Sequence, residues 1–204
     1  MEDIKTINRI FYLAGGDGSR FGENKLLYPL TVDGVCKPMY RHALDRVLDI
    51  VAGVTTYELY VVTCHTDIYS YVNDLEEELS RVHAVDSPDS PKGLSYTIRA
   101  GLAAAGETSP SVYDTFLVAD MPYISESSLA DFMHAVTDSG RTVGCMAEKG
   151  CFKNPVMFQA KLEPELWALE GDCGGKTVFL RYEDDAYVYE TAGELTDLDY
   201  KEDL

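Results

Sequence analysis

Apolar residues arrive in short blocks along this chain, and the spacing inside the blocks alternates between two periods. Residues 7–13, apolar from Ile10 to Leu13, predict a buried strand. Pro38 suits the first turn of a helix, and Tyr40, Ala43, Leu44, Val47, Leu48 and Val51 then recur at helical spacing. Residues 57–63 predict a second strand, with Leu59, Val61 and Val62 at its centre. Ile68, Val72, Leu75 and Leu79 mark one face of a second helix, and residues 82–85 a short strand. Leu94, Ile98 and Leu102 mark a third helix behind a loop rich in turn residues, 86–93. Residues 115–119 predict a further strand that ends at Asp120-Met121-Pro122. Leu129, Phe132, Met133 and Val136 are helical again, and residues 142–147 read as the next strand.

Strand and helix thus alternate five times, the signature of an α/β fold: a three-layer Rossmann-like domain with a mostly parallel central sheet and helices on both faces. Nothing in residues 1–204 marks a repeat or linker, so one domain is expected. After Lys149 the rhythm loosens. Asn154-Pro155-Val156-Met157-Phe158 predicts an edge strand, because proline at its start loses no ladder hydrogen bond there. A helix from near Gly174 and a strand at residues 187–189 complete the expectation.

Composition narrows the function classes. The 204 residues suffice for a sizeable core, and 46% apolar with 25% charged is the balance of a soluble globular protein. No apolar run approaches 18 residues, and the start lacks the basic-then-apolar order of a signal peptide, so no membrane association and a cytoplasmic location are expected. Five scattered cysteines, none in a CxxC pair, read as reduced thiols. A formal charge of −18 argues against nucleic acid as a partner. A small anion needs only a local basic pocket, and Arg20 and Lys25 stand together beside a glycine-rich loop.

That loop, Gly15-Gly16-Asp17-Gly18-Ser19-Arg20-Phe21-Gly22, follows the first strand. It fits neither GxGxxG nor a Walker-type P-loop, and by itself it reads either as a tight turn or as an anion cradle. Arg20 and Lys25 favour the cradle, since a guanidinium and an ammonium suit a polyphosphate. In an open α/β sheet ligands bind beyond the carboxyl ends of the strands. This rule brings together the glycine loop, the helix start at Gly93-Leu94-Ser95 and Asp120. Asp120 reads as a turn or capping residue or as a Mg²⁺ ligand, and Asp197 or Asp199 as a second ligand or part of a solvated tail. Gly171-Asp172-Cys173-Gly174-Gly175-Lys176 is a second glycine-rich turn, either a plain loop or a phosphate site at a helix start. His42, His65, His83 and His134 lack metal-ligand spacing and read as surface or packing residues.

Taken together, Leu13-Ala14-Gly15-Gly16-Asp17-Gly18-Ser19-Arg20-Phe21-Gly22 with Lys25, Gly93 to Gly101, Val118 to Pro122, Asn154 to Phe158, Leu169 to Lys176 and Asp197 to Asp203 resemble the molybdenum cofactor nucleotidyltransferases. The resemblance implies the nucleotide-diphospho-sugar transferase fold. The Gly-Asp-x-Gly turn after Leu169 is similar to the cytidylyltransferase branch, whereas Gly15-Gly16 is more like the guanylyl branch. Asn154 stands where the cytidylyl branch often has histidine, and Tyr200 where threonine is common. What the resemblance implies is Mg²⁺-dependent transfer of CMP from CTP to the terminal phosphate of a molybdopterin-type cofactor, with a molybdenum hydroxylase as client. Guanylyl transfer from GTP, transfer to a sugar or polyol phosphate, and non-catalytic cofactor delivery are the other readings.

Carried onto this chain, the resemblance assigns catalysis to Arg20, Lys25 and Asp120 and nucleotide contacts to Leu13, Ala14, Gly15, Gly16, Gly18, Ser19, Arg20, Lys25, Gly93 and Ser95. It assigns the second substrate to Asn154, Gly171, Asp172, Gly174 and Lys176, and Mg²⁺ to Asp120 and Asp199.

Overall fold

The computed structural model describes residues 6–16, 18, 21–109 and 111–198. A seven-stranded sheet runs through it in the order β5-β4-β1-β6-β8-β7-β9. The strands are β1 (Ile7–Ala14), β4 (Tyr57–Thr63), β5 (Val82–Asp86), β6 (Val112–Val118), β7 (Val143–Glu148), β8 (Cys151–Gln159) and β9 (Tyr187–Thr191); β2 (Pro29–Val32) and β3 (Val35–Pro38) form a separate hairpin. Only β8 is antiparallel to its neighbours, so six of the seven strands point the same way. The apolar stretch Ile10–Ala14 of β1 is what a strand covered on both faces requires. Ile10, Tyr12 and Ala14 pack against α1 (Met39–Gly53), α2 (Thr66–Glu76) and α4 (Glu126–Ser139). Phe11 and Leu13 face α3 (Leu94–Ala105), α5 (Glu163–Trp167) and α6 (Gly175–Phe179). The result is the expected three-layer α/β architecture. Phe11 is sandwiched between Tyr60 and Phe116, with ring centroids 5.3 and 4.9 Å away. Among the described residues no helix is long and apolar enough to cross a membrane.

Three details differ from the sequence expectation. The strand around Pro155 lies inside the sheet, between β6 and β7, and not at its edge. Proline is tolerated there because the β7–β8 register jumps from Cys145↔Val156 to Met146↔Lys153, leaving Asn154 and Pro155 outside the ladder in a bulge. Pro38 ends β3 and precedes α1, one position short of the first helical turn. The β2–β3 hairpin was not anticipated, although Asp33-Gly34, with φ of 51° and 79°, is a two-residue turn of the kind that hairpins favour.

One polar cluster is buried beneath α5. Arg9 on β1 is 4% exposed; its Nε donates to Asp114 Oδ1 on β6 at 2.8 Å, and its Nη2 bonds Glu163. Asp114 Oδ2 finds no hydrogen-bond partner among the described residues. Burial raises the Asp114 carboxyl to about 7, against the opposing pull of Arg9.

Candidate active site

Beyond the carboxyl ends of β1 and β6 the sheet opens into a crevice of about 420 Å³. Leu13, Gly15, Gly16, Lys25, Gly93, Asp120 and Asp172 all line it, together with the Ser90–Lys92 turn. Residues from four separate parts of the chain therefore meet where an open α/β sheet binds its ligands.

At its centre Lys25 Nζ donates to Asp120 Oδ2 at 2.6 Å, with the two side chains 10% and 20% exposed. Each partner is placed by local structure. Asn24 caps a short turn, Lys25–Leu27, by accepting from Leu26 N–H at 3.1 Å. Asp120 follows β6 where Ala119 N–H still bonds Leu13 O at 3.1 Å, so β1 positions the carboxylate. From the other side Leu198 N–H donates to Asp120 O at 3.2 Å. Leu198 is itself buried among Phe21, Leu30, Val32 and Met39. Asp120 Oδ1 is buried and has no hydrogen-bond partner among the described residues. An orphaned carboxylate oxygen beside a lysine fits a hard divalent cation that takes its other ligands from phosphate oxygens and water. Among the described residues no cluster of three His, Cys, Asp or Glu side chains forms a self-sufficient metal site. Asp197 Oδ1 lies 3.4 Å from Lys153 Nζ instead. Arg20, Ser19 and Asp199 lie outside the described residues.

The glycine loop is held from the end of β4. Thr63 Oγ1 donates to Ala14 O at 2.8 Å, Cys64 Sγ approaches Gly15 O at 3.6 Å, and His65 Nε2 lies 2.8 Å from Gly16 O. In a trans peptide C=O and N–H point in opposite directions, so these contacts leave the Gly15 and Gly16 N–H groups on the side away from β4. Successive amides turned the same way make an anion-binding concavity. Gly15 is required by packing: a Cβ there would lie 2.4 Å from Ser90 Oγ and 2.9 Å from Thr97 Oγ1.

The second glycine-rich turn clasps the start of α3. Gly93 has φ of 134° and so little space that a Cβ would fall 2.3 Å from the Gly171 carbonyl. Ser95 N–H and Ser95 Oγ both donate to Gly171 O, at 3.1 and 2.8 Å. Asp172 Oδ1 accepts from Leu94 N–H at 3.4 Å.

The sequence-derived assignments divide accordingly. Ala14 and Ser95 are fully buried, so they shape the crevice and offer it no surface, unlike the contact role expected for them. Gly18 turns the loop, its carbonyl accepting from Phe21 N–H at 2.8 Å. Gly171 and Gly174 pack on Gly93 and Leu94. Asn154 sits in the β8 bulge, and Lys176 Nζ donates to Phe152 O at 2.7 Å; neither lines the crevice. Asn24, Thr63, Ser90 and Thr97 were assigned no role in the site, and His65 was read as a surface or packing residue. The strand-end rule applied to β4, and not to β1 and β6 alone, would have found residues 63–65.

The family model described as MobA-like NTP transferase domain matches residues 10–186. The chain belongs to the MobA-like NTP transferase family. Among curated relatives, the bifunctional protein GlmU of Mycobacterium marinum is 31% identical over 143 residues, 66% of this chain and 27% of that protein. The chain thus spans about a quarter of the length of such relatives. Among solved structures, Rv0371c from Mycobacterium tuberculosis H37Rv superposes with a TM-score of 0.70 at 16% identity, covering 98% of this chain and 96% of that one. A second structure of Rv0371c, a complex with manganese, has a TM-score of 0.63 at 15% identity and covers 93% and 90%. The nucleotidyl transferase Mth528 from Methanothermobacter gives 0.64 at 23% identity, covering 98% and 94%. At these identities the structures show the shared fold.

Proposed function

We propose that this MobA-like transferase moves CMP from CTP to the terminal phosphate of a molybdopterin-type cofactor and releases pyrophosphate. The observation that carries the reading is the Lys25–Asp120 pair lining the crevice, with Asp120 Oδ1 lacking a hydrogen-bond partner among the described residues. A phosphate monoester is largely dianionic near pH 7, so it attacks without a general base. One of its oxygens bonds to the α-phosphorus of CTP while the bond from that phosphorus to the bridging oxygen breaks, and the electron pair leaves with pyrophosphate. Lys25 and Arg20 hold the β- and γ-phosphates and balance the charge growing on the leaving group. The Gly15 and Gly16 amides support the same phosphates, and the narrow crevice keeps attacking and leaving oxygens in line. Asp120, with Asp199, would hold a divalent cation such as Mg²⁺, whose chemistry is to neutralise nucleotide phosphate oxygens.

The choice of CTP rests on the resemblance of Gly171-Asp172-Cys173-Gly174 to the cytidylyl branch. The guanylyl-like Gly15-Gly16 is weak counter-evidence. Ser90 and Thr97 demand a glycine at residue 15 for packing alone, whichever base enters. The cofactor side lies toward Asp172, with a molybdenum hydroxylase as the eventual recipient of the product.

The test is pyrophosphate release from CTP, GTP, ATP and UTP in turn, with and without molybdopterin and with Mg²⁺ or Mn²⁺. Release from CTP only when molybdopterin is present supports the proposal. Release from GTP instead makes the chain a guanylyltransferase; release only with a sugar or polyol phosphate, or binding without release, overturns the assignment.

A further inference from the structure

His65 reads in the sequence as an ordinary surface or packing histidine. Its ring in fact joins the two ends of the glycine loop. Asn24 Oδ1 accepts from Leu26 N–H at 3.1 Å, which turns the Asn24 amide nitrogen toward His65 Nδ1, 3.2 Å away. An amide nitrogen offers only hydrogens, so Nδ1 must accept. The ring proton then sits on Nε2, which donates to Gly16 O at 2.8 Å. One neutral tautomer satisfies both bonds. The backbone N–H of His65 donates in turn to Thr63 Oγ1 at 3.1 Å, the hydroxyl that holds Ala14 O. A single side chain thus ties residue 16 to residue 24, and the next residue is Lys25, whose ammonium meets Asp120. The ring is half-buried at the loop's outer edge and takes no part in lining the crevice.

We propose that His65 is a positioning residue: by bridging Gly16 and Asn24 it fixes both, and with Asn24 the neighbouring Lys25, before nucleotide arrives, so that their ordering is already done at binding. This rests on the nucleotidyl-transfer reading of the crevice. A loop that must be ordered at the moment of binding weakens affinity without altering the groups that act on the bound nucleotide.

The experiment compares His65→Ala, His65→Gln and His65→Asn. The glutamine amide reaches the place of Nε2 and can still donate to Gly16 O; the asparagine amide reaches only the place of Nδ1. With Mg²⁺ and CTP, His65→Ala is expected to raise KM for CTP about tenfold, the scale of one hydrogen bond, while kcat changes less than about threefold. His65→Gln restores KM to within about threefold of the parent and His65→Asn does not. In the nucleotide-free protein, amide exchange at Gly16, Gly18 and residues 21–24 speeds up in His65→Ala and stays at the parent rate in His65→Gln. Exchange in α3 and the central strands is unchanged in all three, which separates loop opening from misfolding. Equal exchange at Gly16, Gly18 and residues 21–24 in the parent and His65→Ala, or equal loss in the glutamine and alanine variants, overturns the proposal. If the parent turns over another nucleotide and not CTP, the function assignment fails while the same comparison run with that nucleotide still decides the role of His65. If it turns over none, the exchange measurement alone decides it.

Discussion

Two aspartates on the line of β6 face the same problem and resolve it differently. Asp114 lies within the strand and Asp120 just past its end; each meets a cation supplied from β1 or the loop that follows it, Arg9 for the first and Lys25 for the second. Each also keeps one buried oxygen without a hydrogen-bond partner among the described residues, Oδ2 of Asp114 and Oδ1 of Asp120. At Asp114 the side chain is fully buried under α5, and burial pushes its carboxyl up to about 7, so below neutral pH a proton removes its buried charge. At Asp120 the side chain is 20% exposed and borders the crevice, where a cation carried in with phosphate can take the same place. A carboxylate sealed in the sheet is a stability element. The same group moved beyond the strand end becomes available to a ligand.

The contrast breaks most sharply at Asp120. Asp120→Ala is expected to lower pyrophosphate release on the order of 10³-fold or more while the thermal midpoint stays near that of the parent; near-parental turnover at saturating Mg²⁺ would remove Asp120 from the site. Arg9→Ala should do the reverse. It leaves Asp114 and Glu163 buried without their cation and costs about 3–5 kcal/mol, or roughly 6–20 °C in Tm, with kcat/KM intact below the transition. A kinetic defect without a stability loss would mean that the buried cluster serves the reaction after all. Lys25→Ala is expected to cost about 10²-fold in kcat/KM for nucleotide, the worth of one cation aimed at developing charge; an unchanged value would leave Lys25 a purely structural partner of Asp120. The smallest effect is on pH dependence. The folded-state carboxyl of Asp114 is raised from 3.8 to about 7, so between those values the folded chain holds a proton that the unfolded chain has released. Its stabilising contribution is therefore fully present below about 4 and is lost as pH rises through about 7. Urea midpoints should fall between pH 5 and pH 8 in the parent and fall less in Asp114→Asn; parallel slopes would show that Asp114 is ionised throughout.

Only the Asp120 side of this contrast was legible in the sequence, because the α/β rhythm is written in local periodicity. The extent of β4, that of β1 to within one residue and the presence of α4 follow from apolar spacing, and the strand-end rule placed Asp120 and Gly93 on one crevice. Pairing order is not local. Nothing in Asn154 to Phe158 says that β8 inserts between β6 and β7, since that depends on a bulge formed with another strand. Supporting contacts were equally hidden. Ser95 looked like a ligand contact because it opens a helix, yet its hydroxyl is spent on Gly171, 76 residues away in sequence. The buried Arg9–Asp114–Glu163 cluster unites residues whose partners are up to 154 positions apart, and charge counting cannot see it.

The clasp between Gly93 and the Gly171–Asp172 turn has a consequence for how two substrates share the crevice. Under the proposed function, Gly93 stands on the nucleotide side of the crevice and Gly171–Asp172 on the acceptor side, and the two are fastened backbone to backbone. A nucleotide that stiffens the first side also stiffens the second, and an acceptor arriving afterwards finds part of its ordering already done. Thermodynamic reciprocity then requires the acceptor to tighten the nucleotide by the same factor, whichever enters first. Cooperativity between the two substrates would thus need no domain closure, only a turn too close to a helix start to admit a single methyl group.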